Sequence, residues 1–270
     1  MATRTLRIHR LSLAIGIACC VVGCAGKPAQ KPQAWHADTA RTPVVSENPA
    51  AVPHPCPPQP TGPQVGRSDP LLNSARPILA EWSAMWARAL PDFAVDSLWR
   101  VGTDRWAAMY VRPFEPVKPG PGVDVEDYLA FELLGIRSPD RRYTLDVDDY
   151  QAVVPMGDSI EVGGEPDSQC SLIDDRQRLE AMLHQCGTGC GFHWGAWLSP
   201  SSFALGGWSE ADDYGEWQQG HLWLYSLADS SVTEYVTRIV PADTFERYKD
   251  AWLSWLLGRY RAWKRVHPPT

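Results

Sequence analysis

The chain is expected to be a mainly β protein with an N-terminal helix and a C-terminal amphipathic helix packed on its sheets. Three observations support this. From about residue 99 to 240, short apolar or alternating runs are separated by clusters of Gly, Pro, Asp and Ser, the rhythm of strands and turns. On either side, segments 77–90 and 241–267 repeat their large apolar residues at helical spacing. Within the β region, Ser-Pro-led stretches recur ahead of strand-like runs.

The N-terminus reads MATRTLRIHRLSLAIGIACCVVGC, with Arg4, Arg7 and Arg10 ahead of an apolar run, Leu11 to Val22. That run is too short for the ~20 residues a spanning helix needs, and it fits a secretory signal. Its end, Val21-Val22-Gly23-Cys24, resembles a bacterial lipobox. The resemblance implies cleavage before Cys24, lipidation of that cysteine and export. Ala25 in place of Asp resembles the class sorted to the outer membrane, with the protein facing the periplasm. Residues 1–23 hold three arginines and no acid, so the mature chain has 22 basic against 32 acidic residues, net −10. Such a surface argues against nucleic acid as partner; contact with the membrane is expected through the lipid alone.

Residues 27–70 contain eleven prolines and no apolar periodicity. This composition cannot bury enough surface to offset its ordering entropy, so residues 24–73 read as the lipidated cysteine and a disordered tether. Residues 74–270 are then one β-rich domain. Its first element is PILAEWSAMWARAL, 77–90, where Ile78, Trp82, Met85, Trp86 and Leu90 share a helix face and Pro77 suits the first turn. RWAAMYV (105–111), YLAFELLGI (128–136) and YTLDVDD (143–149) follow as strand candidates, then SFALGGW (202–208), HLWLYSL (221–227) and VTEYVTRI (232–239). In 143–149, Tyr143, Leu145 and Val147 alternate with polar residues, the pattern of a half-buried strand. The last element, 241–267, carries Phe245, Tyr248, Trp252, Trp255, Leu256 and Trp263 on one face and Lys264, Arg265 and His267 at its C-terminal end.

SPDRRYTL (138–145) and SPSSFAL (199–205) are similar, and GTDRWAAM (102–109) is a fainter copy. Each precedes a run such as SLIDDRQRLEAML or LWLYSLADSSVTEYVT. The pattern resembles the strand pairs of TolB-like and WD40-like propeller repeats: a Ser-Pro turn, a buried strand, then a hairpin. Only about three units fit, whereas closed propellers use four to eight blades. The expected architecture is therefore a partial propeller or stacked antiparallel sheets.

The stretch HQCGTGCGFHW places His184, Cys186, Cys190 and His193 within ten residues. In an oxidising compartment an even number of cysteines suggests disulfides. Cys186 and Cys190 are expected to pair across Gly187-Thr188-Gly189, leaving Cys56–Cys170 as the residual pair, which would pin the tether to the domain; other pairings stay open. A zinc site with His184 and His193 is disfavoured because C-x3-C is not the usual ligand spacing, and neither metal nor cofactor is expected.

No G-x-S-x-G, P-loop, H-E-x-x-H or G-x-G-x-x-G motif occurs, and no catalytic residue is assigned. Acidic groups cluster at Asp124-Glu126-Asp127, Asp146-Asp148-Asp149 and Asp212-Asp213. The Gly-rich, acidic and aromatic stretch GWSEADDYGEW (207–217) reads as a loop that could enter a basic cleft, with Trp208, Asp212, Asp213, Tyr214 and Trp217 as contact residues. The expected function is a non-enzymatic envelope lipoprotein that binds a protein partner. Its specific form is an inhibitor or immunity protein against a cell-wall hydrolase. The rival is an envelope hydrolase or metalloenzyme using His184 and His193 or a carboxylate pair.

Overall fold

A computed structural model describes residues 54–115, 125–147, 151–164 and 167–267. The signal segment and Cys24 lie outside them. The protein is mainly β, with stacked antiparallel sheets and a C-terminal helix packed on them.

The chain enters through α1 (Pro70–Ala75) and α2 (Ala80–Ala89), then lays down β1 (Trp99–Arg105) and β2 (Val111–Pro113). After α3 (Val125–Leu134) come β3 (Gly135–Arg137), β4 (Tyr143–Asp146), the hairpin β5 (Gln151–Met156) and β6 (Ser159–Gly164), β7 (Ser168–Asp174) and β8 (Leu179–Cys186). A second run follows: β9 (Cys190–Ser199), β10 (Ser202–Glu210), β11 (Trp217–Ser226), β12 (Ser231–Val236) and the short β13 (Val240–Pro241), ending in α4 (Ala242–Val266). Sheet I has the order β1-β12-β11-β10-β9, with β13 on β11; sheet II has the order β2-β8-β7-β4-β3; β5 and β6 pair separately.

The two Ser-Pro segments each open a strand, β4 in sheet II and β10 in sheet I, by the same device. Ser138 Oγ accepts from the backbone N–H of Arg142 (3.1 Å) and Tyr143 (2.9 Å). Ser199 Oγ accepts from the N–H of Ser201 (3.2 Å). Both hydroxyls satisfy backbone donors that a tight turn would orphan. The fainter third copy has no such turn, because Gly102 to Arg105 lie inside β1. Two sheets result.

Sheets I and II share a core of Leu145, Leu172, Leu183, Phe192, Phe203, Leu205 and Tyr225, among others. Gly195 of β9 lets them approach closely: a Cβ there would stand 2.8 Å from Leu145 and 2.9 Å from Val147. The strand β4 is consequently buried on both sides, Thr144 and Asp146 as well as Leu145, not half-buried as its alternation suggests. The other face of sheet I carries the larger core, with Trp82 and Trp86 of α2 and Phe245, Tyr248, Trp252 and Leu256 of α4. Here Gly206 and Gly220 lie directly beneath the indoles of Trp82 and Trp86. The missing Cβ atoms let both rings sit against the strand backbone.

The run 128–136 is not a strand. It forms the end of α3 and turns into β3. Leu129 and Leu133, and Ala130 and Leu134, are four residues apart and all buried, so a continuous apolar run satisfied the helical period as well as a strand. Residues 106–110 likewise connect β1 to β2 and are not strand.

From residue 54 onward, part of the segment expected as tether makes specific contacts with the domain. Gln59 makes a two-way bridge to Ile239, donating to its carbonyl (3.3 Å) and accepting from its N–H (2.9 Å). Val65 N–H donates to Leu98 O (2.9 Å). Asp69 caps α1 by accepting from Leu71 and Leu72 N–H, and also accepts from the buried Tyr235 hydroxyl at 3.2 Å. Proline excludes ladder hydrogen bonds, but side chains and isolated backbone groups still anchor this segment.

Candidate functional site

The cysteine–histidine stretch straddles the β8–β9 turn. Cys186 and Cys190 are joined by a disulfide, with Cα atoms 6.1 Å apart. Cys56 and Cys170 are not joined. Cys56 is exposed beside Pro57 and Gln59, while Cys170 is fully buried in the core between the sheets.

His184 and His193 do not meet. His184 belongs to β8 in sheet II, and its Nε2 is hydrogen-bonded to the Tyr225 hydroxyl of sheet I. Burial pushes its pKa down to about 4, offset only in part by Glu234. His193 lies on the opposite face of sheet I, stacked on Trp252 of α4 at 4.3 Å. Its Nε2 accepts from Trp208 Nε1–H at 3.3 Å, and its Nδ1 meets no partner among the described residues. Burial pushes this imidazole down to about 3. A metal site using both rings is therefore ruled out by sheet I itself. Among the described residues no group of three or more His, Cys, Asp or Glu could hold an ion. Of the acidic clusters, Asp124, Asp148 and Asp149 lie outside the described residues.

The acidic aromatic stretch splits between two faces. Trp208 is turned into the helix layer against Phe245 (4.9 Å). Asp212, Asp213, Tyr214 and Trp217 instead belong to the β10–β11 loop or its exit. Asp212 Oδ1 accepts from the Trp217 N–H (3.2 Å), and Ala211 N–H donates to Trp217 O (2.7 Å). The loop is clamped by a residue outside the predicted set, His54. Its N–H donates to Glu216 Oε2 (2.8 Å), its carbonyl accepts from Trp217 Nε1 (3.3 Å), and its ring stacks on Tyr214 at 3.6 Å. Hydrogen bonding to His54 lowers the Glu216 pKa. Tyr214 remains 65% exposed.

Just below this loop, three polar side chains line up across β10, β11 and β12. Ser209 Oγ lies 2.9 Å from His221 Nε2, and His221 Nδ1 lies 2.8 Å from Glu234 Oε1. Ser209 is directly opposite Gln219, and Glu234 opposite Trp223, so each contact is a diagonal cross-strand pair on one face. The residue directly opposite His221 is Gly207. The His221 ring stacks on Trp223 (5.2 Å, 9° between planes), and Trp223 also meets His184 (5.0 Å). Ser209 pairs with Cys190 on its other side, so the disulfide adjoins this row.

None of these three residues is marked by a sequence motif. Their meeting depends on strand register, and the local hint is the Gly206-Gly207 pair. No protein family, curated protein or solved structure matches this chain.

Proposed function

We propose that the chain is a lipid-anchored protein of the bacterial outer membrane that docks a protein partner in the periplasm through its β10–β11 loop. The N-terminal charge pattern, apolar run and Gly23-Cys24 box support export and anchoring. The observation that carries the docking reading is the exposure of Tyr214 on a loop held from both sides. An exposed aromatic that is already immobilised loses little entropy on binding and makes an efficient anchor. Asp213 stands beside it, exposed, and the chain as a whole is acidic, so the fitting partner presents a basic cleft. A basic cell-wall hydrolase held in check by this loop is the specific form of the proposal.

The test is affinity capture from envelopes with the lipidated chain, comparing wild type with Asp213→Ala/Tyr214→Ala. Tyr214 gives up its stack on His54, but neither side chain makes the hydrogen bonds that shape the loop, so the melting curve should shift little while partner recovery falls at least tenfold. Equal recovery by the variant removes the loop from the interaction. Palmitate incorporation lost on Cys24→Ser tests the anchor separately.

A further inference from the structure

We infer that Ser209, His221 and Glu234 form a nucleophile, general base and orienting carboxylate that cleave carboxylic esters. This goes beyond partner docking and stands whether or not the loop binds a protein.

Three features of the row support a working site over a stabilising polar ladder. The first is the order of the contacts. The hydroxyl meets the Nε2 nitrogen and the carboxylate meets Nδ1. Glu234 can only accept from an Nδ1–H, and that tautomer leaves the Nε2 lone pair facing the Ser209 hydroxyl proton. A reversed order would leave no base at the serine. The second is rigidity. The imidazole is bonded at both nitrogens and stacked on Trp223, which is itself wedged against His184. The ring cannot flip without breaking all three contacts. The third is access. The His221 and Glu234 side chains keep 15% and 32% of their surface in solvent, and Ser209 is also half-buried. His193, by contrast, is buried under α4. The row is therefore dry enough to strengthen its hydrogen bonds and open enough to meet a ligand.

The chemistry balances without a further reagent. Ser209 Oγ attacks the ester carbonyl carbon as its proton passes to His221 Nε2. Glu234 stabilises the resulting imidazolium. Collapse of the tetrahedral adduct breaks the acyl carbon–oxygen bond, and the leaving alkoxide takes the proton from Nε2. Water then attacks the acyl-serine, giving its proton to Nε2, and the carboxylic acid leaves as Ser209 recovers a proton. The apolar surface beside the base is the half-buried Trp223 ring stacked on His221, which favours an ester with an apolar acyl group.

The experiment treats the folded chain with a fluorophosphonate probe and locates the adduct by peptide mass spectrometry, with p-nitrophenyl butyrate hydrolysis measured in parallel. Wild type should be labelled at Ser209, and Ser209→Ala should abolish labelling with an unchanged melting curve. His221→Gln should slow labelling by ~100-fold or more. Glu234→Gln tests the orienting role: it should lower the labelling rate at saturating probe while leaving the half-saturating probe concentration unaltered, a split that general loosening of the sheet would not produce. Absence of labelling in wild type, labelling at another serine, or equal rates in His221→Gln each overturns the assignment.

Discussion

Acidification from pH 7 to pH 5 should destabilise the fold by about 4 kcal/mol, shared between the buried His193 and the half-buried His184. Burial holds His193 near 3 and His184 near 4 in the folded chain, whereas both return to the ordinary value, ~6.5, when unfolded. Depressed folded values mean that the unfolded chain binds the protons. The stability these rings contribute is therefore complete above pH 6.5 and falls as pH drops toward the folded values. Each ring loses about 1.4 kcal/mol per pH unit below 6.5, which gives roughly 2 kcal/mol apiece at pH 5. The carboxylates held low in the fold, Asp140, Asp158, Glu216 and Asp229, add their share nearer pH 4 and below. The assay is urea unfolding followed by tryptophan fluorescence at pH 7, 6 and 5, on wild type and His193→Gln. Glutamine can still accept from the Trp208 indole but has no ring to titrate. Its stability should fall about 2 kcal/mol less between pH 7 and pH 5 than that of wild type. Parallel pH dependences for the two proteins would refute the reasoning, as would greater stability at pH 5.

Two glycines should respond in opposite directions to alanine. At Gly220 the added methyl overlaps the Trp86 ring, which is fully buried and stacked on Tyr248 at 4.4 Å, so Gly220→Ala should cost about 2–3 kcal/mol in chemical denaturation. At Gly258, inside α4, nothing lies within 4 Å of the added atom, and Gly258→Ala should stabilise by roughly 0.5–1 kcal/mol. Reduction of Cys186–Cys190, which closes a loop with a sequence separation of four, should lower unfolding free energy by about 2 kcal/mol on the chain-entropy model; an unchanged denaturation midpoint in dithiothreitol would show that the loop is already ordered in the unfolded chain.

The parts of the fold legible in the sequence are those whose signals are local. The helix α4 runs for 25 residues, long enough for its aromatic stripe to distinguish one period from another. The Ser-Pro turns were legible because a serine hydroxyl bonds its own neighbours two to five residues on. The run 128–136 failed for the opposite reason: nine residues of nearly unbroken apolarity fit either period, and tertiary packing against β5 and α4 decided. His54 failed because composition reports only that a Pro-rich segment lacks a pattern. It says nothing of single contacts to a residue 162 positions away.

The Ser209–His221–Glu234 row was illegible in a deeper sense, since its spacing of twelve and thirteen residues in the chain carries no meaning until the hairpins set a register. Yet the register leaves one trace. Gly206 and Gly207 point to opposite faces of β10, so they answer two different demands. A Cβ at Gly206 would collide with Trp82 of the helix layer, and one at Gly207 would stand 2.5 Å from the Gly191 carbonyl of β9, 3.1 Å from Trp223 and 3.4 Å from Phe192 on the other side. The first glycine seats the helices on sheet I. The second lets β9 close on β10 and leaves room for the ring that stacks on His221. A substitution at 207 should therefore disturb the β9–β10 pairing together with the row of polar side chains beside it, and a substitution at 206 should disturb the helix layer.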